Sequence, residues 1–318
     1  MEFESFGIIF AVSALGLISL LKLLISFVRW VWIMFLRPPK NLKEYGSWAM
    51  ITGPTAGIGK AIAFELASKG LNLVLVGRNP SKLEATSAEI RRDQVVQVKT
   101  VVIDLAKSNA EEIARVIDDE TRGLDVGVVI NNAGLAYPYA RFFDEVDSDL
   151  MESIMKVNME APTWITWSVL PRMLEKKKGA IVNIGSASSA VAPSYPLVTV
   201  YAASKAYLAM FSRSTSVEYK QSGIDIQCQI PLFVATKMTK LKAKSFFIPS
   251  PEAYSRASVR SIGYEIVCAP YWFHSVQWFI SDLLPDALLN WCLFSYFLGM
   301  SKRAKLKESQ KIKKFQQQ

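Results

Sequence analysis

The sequence predicts an α/β protein: a doubly wound parallel sheet, with an N-terminal transmembrane helix before it and an apolar helical extension after it. Three observations carry that prediction. Between Gly46 and Val234, short apolar runs of β type alternate with longer amphipathic stretches, the pattern of strands joined by crossover helices. The runs are nearly continuous Val, Leu and Ile, as strands covered on both faces require. The first run enters a glycine-rich turn that opens a helix rich in Ala and Leu.

The 318 residues have room for one large α/β domain and its appendages. Hydrophobic residues make up 51% of them and the mean hydropathy is positive, so part of the apolar surface is expected in lipid. A formal charge of +9 fits nucleic acid, anionic lipid or an anionic cofactor. Much of that charge flanks the apolar ends, so no nucleic-acid partner is expected. Cys228, Cys268 and Cys292 stand far apart and form no C-x-x-C pair, which supports neither disulfides nor zinc and fits a reducing compartment. The lone histidine, His274, lies in Tyr-Trp-Phe-His. A histidine-rich metal site is therefore excluded, a Ser-His-Asp triad would depend on this one residue, and acid–base chemistry is expected from other side chains.

From Phe6 to Leu21 every residue is apolar, Gly or Ser, and the run resumes after Lys22 and again from Trp30 to Leu36. About 20 such residues cross the hydrocarbon core, with Lys22 able to snorkel and Trp30 and Trp32 suited to the interface. A cleaved signal peptide fits less well. Basic residues follow the apolar core instead of preceding it, Glu2 and Glu4 occupy the start, and no small-residue cleavage site is present. The cluster Arg29, Arg37, Lys40 and Lys43 places the following domain on the cytosolic side. Residues 1–45 are read as membrane anchor and basic linker.

Strands are predicted at Ser47 to Ile51, Leu71 to Val76, Val98 to Ile103, Val126 to Ile130, Ala180 to Ile184 and Asp225 to Ile230. After the first comes Thr52-Gly53-Pro54-Thr55-Ala56-Gly57-Ile58-Gly59-Lys60. Gly53 permits a tight turn, Gly57 lets backbone approach a pyrophosphate, and Gly59 allows close helix packing, with the helix N-terminus facing the phosphates. The second strand ends in Arg78 where an NAD site carries an acidic residue. Arg78 can fork onto a 2′-phosphate and Lys82 adds charge, so NADPH is expected over NADH.

Cys268 to Met300 is rich in Trp, Phe, Leu and Tyr but is interrupted by Asp282, Pro285 and Asp286. A buried subdomain or interfacial helix pair fits it better than a second span; residues 268–301 are taken as membrane-associated or substrate-covering. Lys302 to Lys314 carries seven basic residues, read as a solvated disordered tail or a polybasic contact with headgroups. Its dilysine, Lys313 and Lys314, is not at the spacing of a retrieval signal.

The glycine motif, Asn131-Asn132-Ala133-Gly134, and Tyr201-Ala202-Ala203-Ser204-Lys205 together resemble the short-chain dehydrogenase/reductase family. That resemblance implies a Rossmann sheet with a seventh strand, here over residues 46–267, and an Asn-Ser-Tyr-Lys catalytic set. Tyr201 and Lys205 share a helix face, so the ammonium is expected to lower the phenol's pKa and make Tyr201 a general acid. By the same resemblance Lys205 holds the nicotinamide ribose, and Asn158 marks a helix distortion serving a proton relay. The serine is Ser186 or Ser188. Counting back from Tyr201 selects Ser188, whereas the strand end Asn183-Ile184-Gly185-Ser186 selects Ser186, which is preferred. The implied cofactor contacts are Gly53, Thr55, Gly57, Ile58, Gly59, Arg78, Lys82, Asp104, Asn131, Ala133, Gly134, Tyr201, Lys205, Val234 and Thr236. The family's Pro-Gly-x-x-x-Thr reads Pro231-Leu232-Phe233-Val234-Ala235-Thr236 here, with leucine in place of glycine.

Within the family, the anchor, the Gly-Pro-Thr loop, Arg78 to Leu83 and Thr236-Lys237-Met238 resemble the membrane-bound very-long-chain 3-oxoacyl-CoA reductases. This implies an acyl-CoA substrate, membrane lipid, and elongase partners: a condensing enzyme, a dehydratase and an enoyl reductase. It also implies the endoplasmic reticulum membrane with the catalytic domain in the cytosol; a homodimer is compatible. Lys237, Lys240, Lys242 and Lys244 can meet CoA phosphates or form a solvated loop. Hydroxysteroid dehydrogenase is the alternative enzyme, and a catalytically idle membrane scaffold the alternative of another class.

Overall fold

The computed structural model describes residues 2–239, 241 and 245–316. The chain divides into two compact units, Met1–Pro39 and Lys40–Gln318.

The first unit is helix α1 (Glu2–Val31) and a π-helical turn, Trp32–Leu36. Among the described residues Phe6–Leu36 is the one helical stretch long and apolar enough to cross a membrane by itself. Trp30 stacks on Phe27 and meets Phe35 edge-on at its C-terminal end, where amphipathic rings suit a headgroup region.

The second unit is built on strands β1 (Trp48–Thr52), β2 (Asn72–Gly77), β3 (Val98–Val102), β4 (Val126–Asn131), β5 (Gly179–Ile184), β6 (Ile224–Gln229) and β7 (Val267–Cys268). All pairs are parallel, in the order β3-β2-β1-β4-β5-β6-β7. The six strands expected from apolar runs are present within a residue or two. The seventh is only two residues long, pairing Val267 with Cys228 and Cys268 with Gln229; no run of its own announces it.

Helices α2 (Gly57–Ser68), α3 (Pro80–Asp93), α4 (Ala110–Thr121), α5 (Ser148–Met155), α6 (Ala161–Glu175), α7 (Thr199–Tyr219) and α8 (Pro251–Arg260) surround the sheet. Side chains alternate across each strand. Ile51, Leu73 and Leu75 therefore meet Ile62, Leu66, Leu83 and Ile90 of α2 and α3 on one face, while Met50, Val74 and Val76 meet Ile113, Ile117 and Ile165 of α4 and α6 on the other. Burial on both faces accounts for the unbroken apolar runs. The crossover helices start where polar caps stand: Asn79 accepts the N–H of Lys82 with Pro80 in the first turn, and Asn109 accepts that of Glu112.

At the end of the segment taken as linker, Leu42 is buried, Lys40 Nζ lies 2.8 Å from Asp225, and Tyr45 hydrogen-bonds the same carboxylate. The C-terminal basic run continues a helix. Helices α9 (Trp272–Asp282) and α10 (Asp286–Gln316) form a pair bent by 120°, and α10 continues through Lys302 and beyond, as its Lys, Ala, Leu, Glu and Gln content favours. Phe297 of α10 packs with Leu197 and Ala140, whereas Leu283, Leu288 and Trp291 are exposed.

Candidate active site

A cavity of about 690 Å³ opens at the C-terminal ends of the strands, the expected place for a ligand in a doubly wound sheet. The glycine loop, the ends of β2 and β3, the segment after β4, Ser186, Tyr201, Lys205 and the segment from Pro231 to Thr239 line it.

The loop has the shape its glycines require. Gly53 and Gly57 hold φ of +66° and +56°, a region costly for other residues. A Cβ on Gly59 would fall 2.2 Å from Asn132 Nδ2 and 2.4 Å from the Gly53 carbonyl. Ala56, at the N-terminus of α2, supplies no side-chain cap, so the first N–H groups and the positive end of the helix dipole remain for an anion. Arg78 and Lys82 add exposed cationic side chains along the lining, and Asp104 follows β3, one oxygen accepting the N–H of Ala106 at 3.1 Å. The donor set fits a phosphorylated dinucleotide: backbone donors for a pyrophosphate, cations for a further phosphate and a carboxylate for an amino group.

Tyr201 and Lys205 lie one turn apart on α7, the tyrosine partly buried and the lysine buried. Burial raises the Tyr201 phenol above its usual range, opposed by a hydrogen bond with Ser186. Lys205 Nζ donates to the Ile184 carbonyl at 2.8 Å, and burial lowers its pKa to about 8. The expectation that the ammonium lowers the phenol's pKa is therefore not met in this form. Desolvation dominates both groups, and the side chain that favours the phenolate is Ser186.

Asn158 sits in a π-helical turn, Lys156–Glu160, where α5 passes into α6. Its Oδ1 accepts the N–H of Leu135 at 2.8 Å; its Nδ2 donates to the Leu135 carbonyl and the Ser204 hydroxyl, each at 2.9 Å. The distorted turn anticipated at this residue is thus present, and its side chain ties the post-β4 segment to α7. Gly134 marks the closest approach: a Cβ there would lie 3.4 Å from Lys205 Nζ and 3.6 Å from Asn158 Oδ1.

Of the expected cofactor residues, all but Asn131 line the cavity. Asn131 is buried instead, donating to Asn183 Oδ1 at 2.9 Å and Thr166 Oγ1 at 3.3 Å. As the last residue of β4 it faces the helix layer, so it braces the sheet and does not touch the cavity. Asn158 acts from behind the lining. Ser186 lines the cavity and Ser188 does not; the Ser188 hydroxyl is buried without a hydrogen-bond partner. His274 is outside the lining as well, so no Ser-His-Asp triad forms there. Lys237 is in the lining, whereas Lys240, Lys242 and Lys244 lie outside the described residues.

Sequence reasoning missed Thr52, and it took Asn132 only as part of the cofactor-lining segment Asn131 to Gly134, where it does line the cavity. Thr52 Oγ1 accepts the N–H groups of Asn132 and Ala133 at 3.0 and 2.9 Å, and Asn132 Nδ2 donates to the carbonyls of Thr52 and Gly53. These bonds lock the glycine loop to the post-β4 segment. The only signal was the polar strand end Thr52 beside a paired asparagine.

Comparison with known proteins follows the same outline. The short chain dehydrogenase family profile matches residues 47–245. The chain belongs to the short-chain dehydrogenase family. A very-long-chain 3-oxoacyl-CoA reductase-like protein of Arabidopsis thaliana is 46% identical over 296 residues, covering 91% of this chain and 93% of that protein. Very-long-chain 3-oxoacyl-CoA reductase-B of Danio rerio is 37% identical, covering 95% and 96%. An inactive hydroxysteroid dehydrogenase-like protein of Homo sapiens is 40% identical, covering 79% and 76%. Among solved structures, a short-chain dehydrogenase of Sphingobium yanoikuyae in complex with NADPH superposes with a TM-score of 0.63 at 28% identity, covering 74% of this chain and 92% of that one. The short-chain dehydrogenase match thus spans strands β1 to β6, the glycine loop and the Tyr201–Lys205 helix.

Proposed function

We propose that the chain is an NADPH-dependent reductase of long or very-long-chain 3-oxoacyl-CoA, producing the 3-hydroxyacyl-CoA in fatty acid elongation. The observation that carries this reading is the grouping of Tyr201, Ser186 and Lys205 on the lining of a cavity suited to a phosphorylated dinucleotide. Its substrate class is supported by the Arabidopsis and Danio relatives, which match this chain nearly end to end.

Reducing a ketone needs a hydride at carbon, which NADPH supplies when bound, and a proton at oxygen. Tyr201 donates that proton from its hydroxyl; burial keeps the phenol protonated until the oxygen develops charge. Ser186, which shares the cavity lining with Tyr201, holds the carbonyl oxygen in reach. Lys205 and Asn158 fix α7 against the ends of β4 and β5. Arg78 and Lys82 take the 2′-phosphate, and Lys237 meets the anionic end of the acyl-CoA. The human inactive relative keeps an idle scaffold as the competing reading, against which intact Tyr201 and Lys205 stand.

The proposed location is the endoplasmic reticulum membrane, anchored by α1 with the second unit in the cytosol. In the second unit itself, exposed Phe279 on α9, Leu283 in the turn after it, and Leu288 and Trp291 on α10, with Lys302, Arg303 and Lys307 beyond them, suit the headgroup boundary of anionic lipid. Such a surface can receive a substrate whose tail partitions into lipid from the condensing enzyme and release product to the dehydratase, with the enoyl reductase acting later.

The test is NADPH oxidation by the full chain in lipid vesicles, comparing 3-oxoacyl-CoA of increasing length with steroid ketones. A larger kcat/KM for long 3-oxoacyl-CoA supports the reading. A larger value for steroids overturns the substrate, and NADPH binding without turnover of either class supports the scaffold.

A further inference from the structure

His274 lies outside the cavity and yet holds part of its wall. It is on α9, fully buried, with the rings of Tyr254 and Tyr271 centred 5.9 and 5.1 Å away. Its Nδ1 accepts the backbone N–H of Leu232 at 3.3 Å, and its Nε2 donates to the Phe233 carbonyl at 3.2 Å. Together these contacts select the neutral ring with the proton on Nε2. Burial, which lowers its pKa to about 4, keeps it neutral.

The clasped residues matter because of what flanks them. Pro231, Leu232 and Val234 line the cavity just past β6. Ala187, next to Ser186, donates its N–H to the Pro231 carbonyl at 3.0 Å, so this wall adjoins the reacting end of the cavity. The segment has left the strand ladder, and its Leu232 N–H and Phe233 carbonyl find their partner in one imidazole. Leu232, standing where relatives of the fold often carry glycine, also packs against the cluster of Ala187, Val191 and Cys228, as does Trp278 of α9.

We propose that His274 is a positioning residue through which helix α9 fixes the Pro231–Val234 wall against the nicotinamide end of the cofactor. The proposal rests on the NADPH reading above and adds a role for the C-terminal extension in cofactor placement. If the clasp is lost, the wall's backbone can drift while the Arg78 end of the cavity stays as it is.

Adenosine 2′,5′-bisphosphate, which has the phosphorylated adenosine end and no nicotinamide, separates the two ends. Full-length wild type, His274→Phe and His274→Gln are titrated with it and with NADPH, following tryptophan fluorescence. His274→Phe keeps a ring between Tyr254 and Tyr271 but makes neither hydrogen bond. It should weaken NADPH about tenfold while leaving the bisphosphate within about twofold. His274→Gln, whose amide offers one acceptor and one donor, should recover NADPH binding to within about threefold of wild type. Unchanged NADPH affinity in His274→Phe overturns the proposal. Equal weakening of both ligands in both variants also overturns it, because the histidine would then support the fold as a whole. A wild-type chain that binds the bisphosphate but not NADPH, or neither ligand, contradicts the cofactor reading itself.

Discussion

The Lys205 ammonium donates a 2.8 Å hydrogen bond to the carbonyl of Ile184, joining helix α7 to the end of β5 inside a desolvated site. The bond holds the lysine in place, yet burial still lowers its pKa to about 8. Unfolded, the same group titrates near ~10.4. Between these values the unfolded chain binds the extra proton, so the lysine's contribution to stability rises with pH across that window. Below it the fold carries the full cost of the buried charge. Lys205→Met should therefore be inactive but more stable than wild type at pH 7, by on the order of 1–3 kcal/mol. The gap should narrow toward pH 10 in thermal melts of the detergent-solubilised protein. A gap that does not change with pH would place its origin elsewhere.

Ser186 and Ser188 should separate cleanly. Ser186→Ala removes the hydroxyl that lines the cavity with Tyr201 and favours its phenolate, and kcat is expected to fall by about 10- to 1000-fold. Ser188→Ala removes a buried hydroxyl that has no partner, so kcat should stay within about twofold and stability should hold or rise slightly. Steady-state kinetics on the two variants decides between them, and the reverse ranking would reassign the serine.

Gly59→Ala places a methyl 2.2 Å from Asn132 Nδ2 and 2.4 Å from the Gly53 carbonyl. Backbone must yield, since a carbonyl is among the atoms met. A loss of about 1–3 kcal/mol in stability is expected, with NADPH affinity reduced at least about tenfold in a fluorescence titration. Normal binding would mean the glycine loop is not the phosphate cradle.

Arg78→Ala should weaken NADPH by about 10- to 100-fold, the worth of one charge-assisted phosphate contact, and leave NADH nearly unchanged. Competition between the two cofactors measures this. Equal losses for both would contradict a 2′-phosphate role.

The frame was legible because its signals are local. Strands buried on both faces must be continuously apolar, and Gly53, Gly57 and Gly59 each meet a backbone constraint that other residues fail. Tyr201 and Lys205 share a face by helical spacing alone. What escaped depended on direction and distance. Asn131 and Asn132 are adjacent in sequence, yet Asn131 turns into the helix layer and Asn132 toward the glycine loop, a choice set by the strand's alternation at its last residue. Strand β7 owes its existence to pairing with β6 rather than to its own two residues. The raised Tyr201 phenol reflects burial, and Lys205 spends its hydrogen bond on Ile184; spacing showed the pair but not the desolvation.

The most direct test of proton donation by Tyr201 is single-variant kinetics with a long-chain 3-oxoacyl-CoA, comparing NADPH oxidation by wild type and Tyr201→Phe in matched vesicles. Loss of a general acid should lower kcat by about 100-fold or more while NADPH affinity stays within about twofold. A Tyr201→Phe variant that turns over at the wild-type rate would contradict the account.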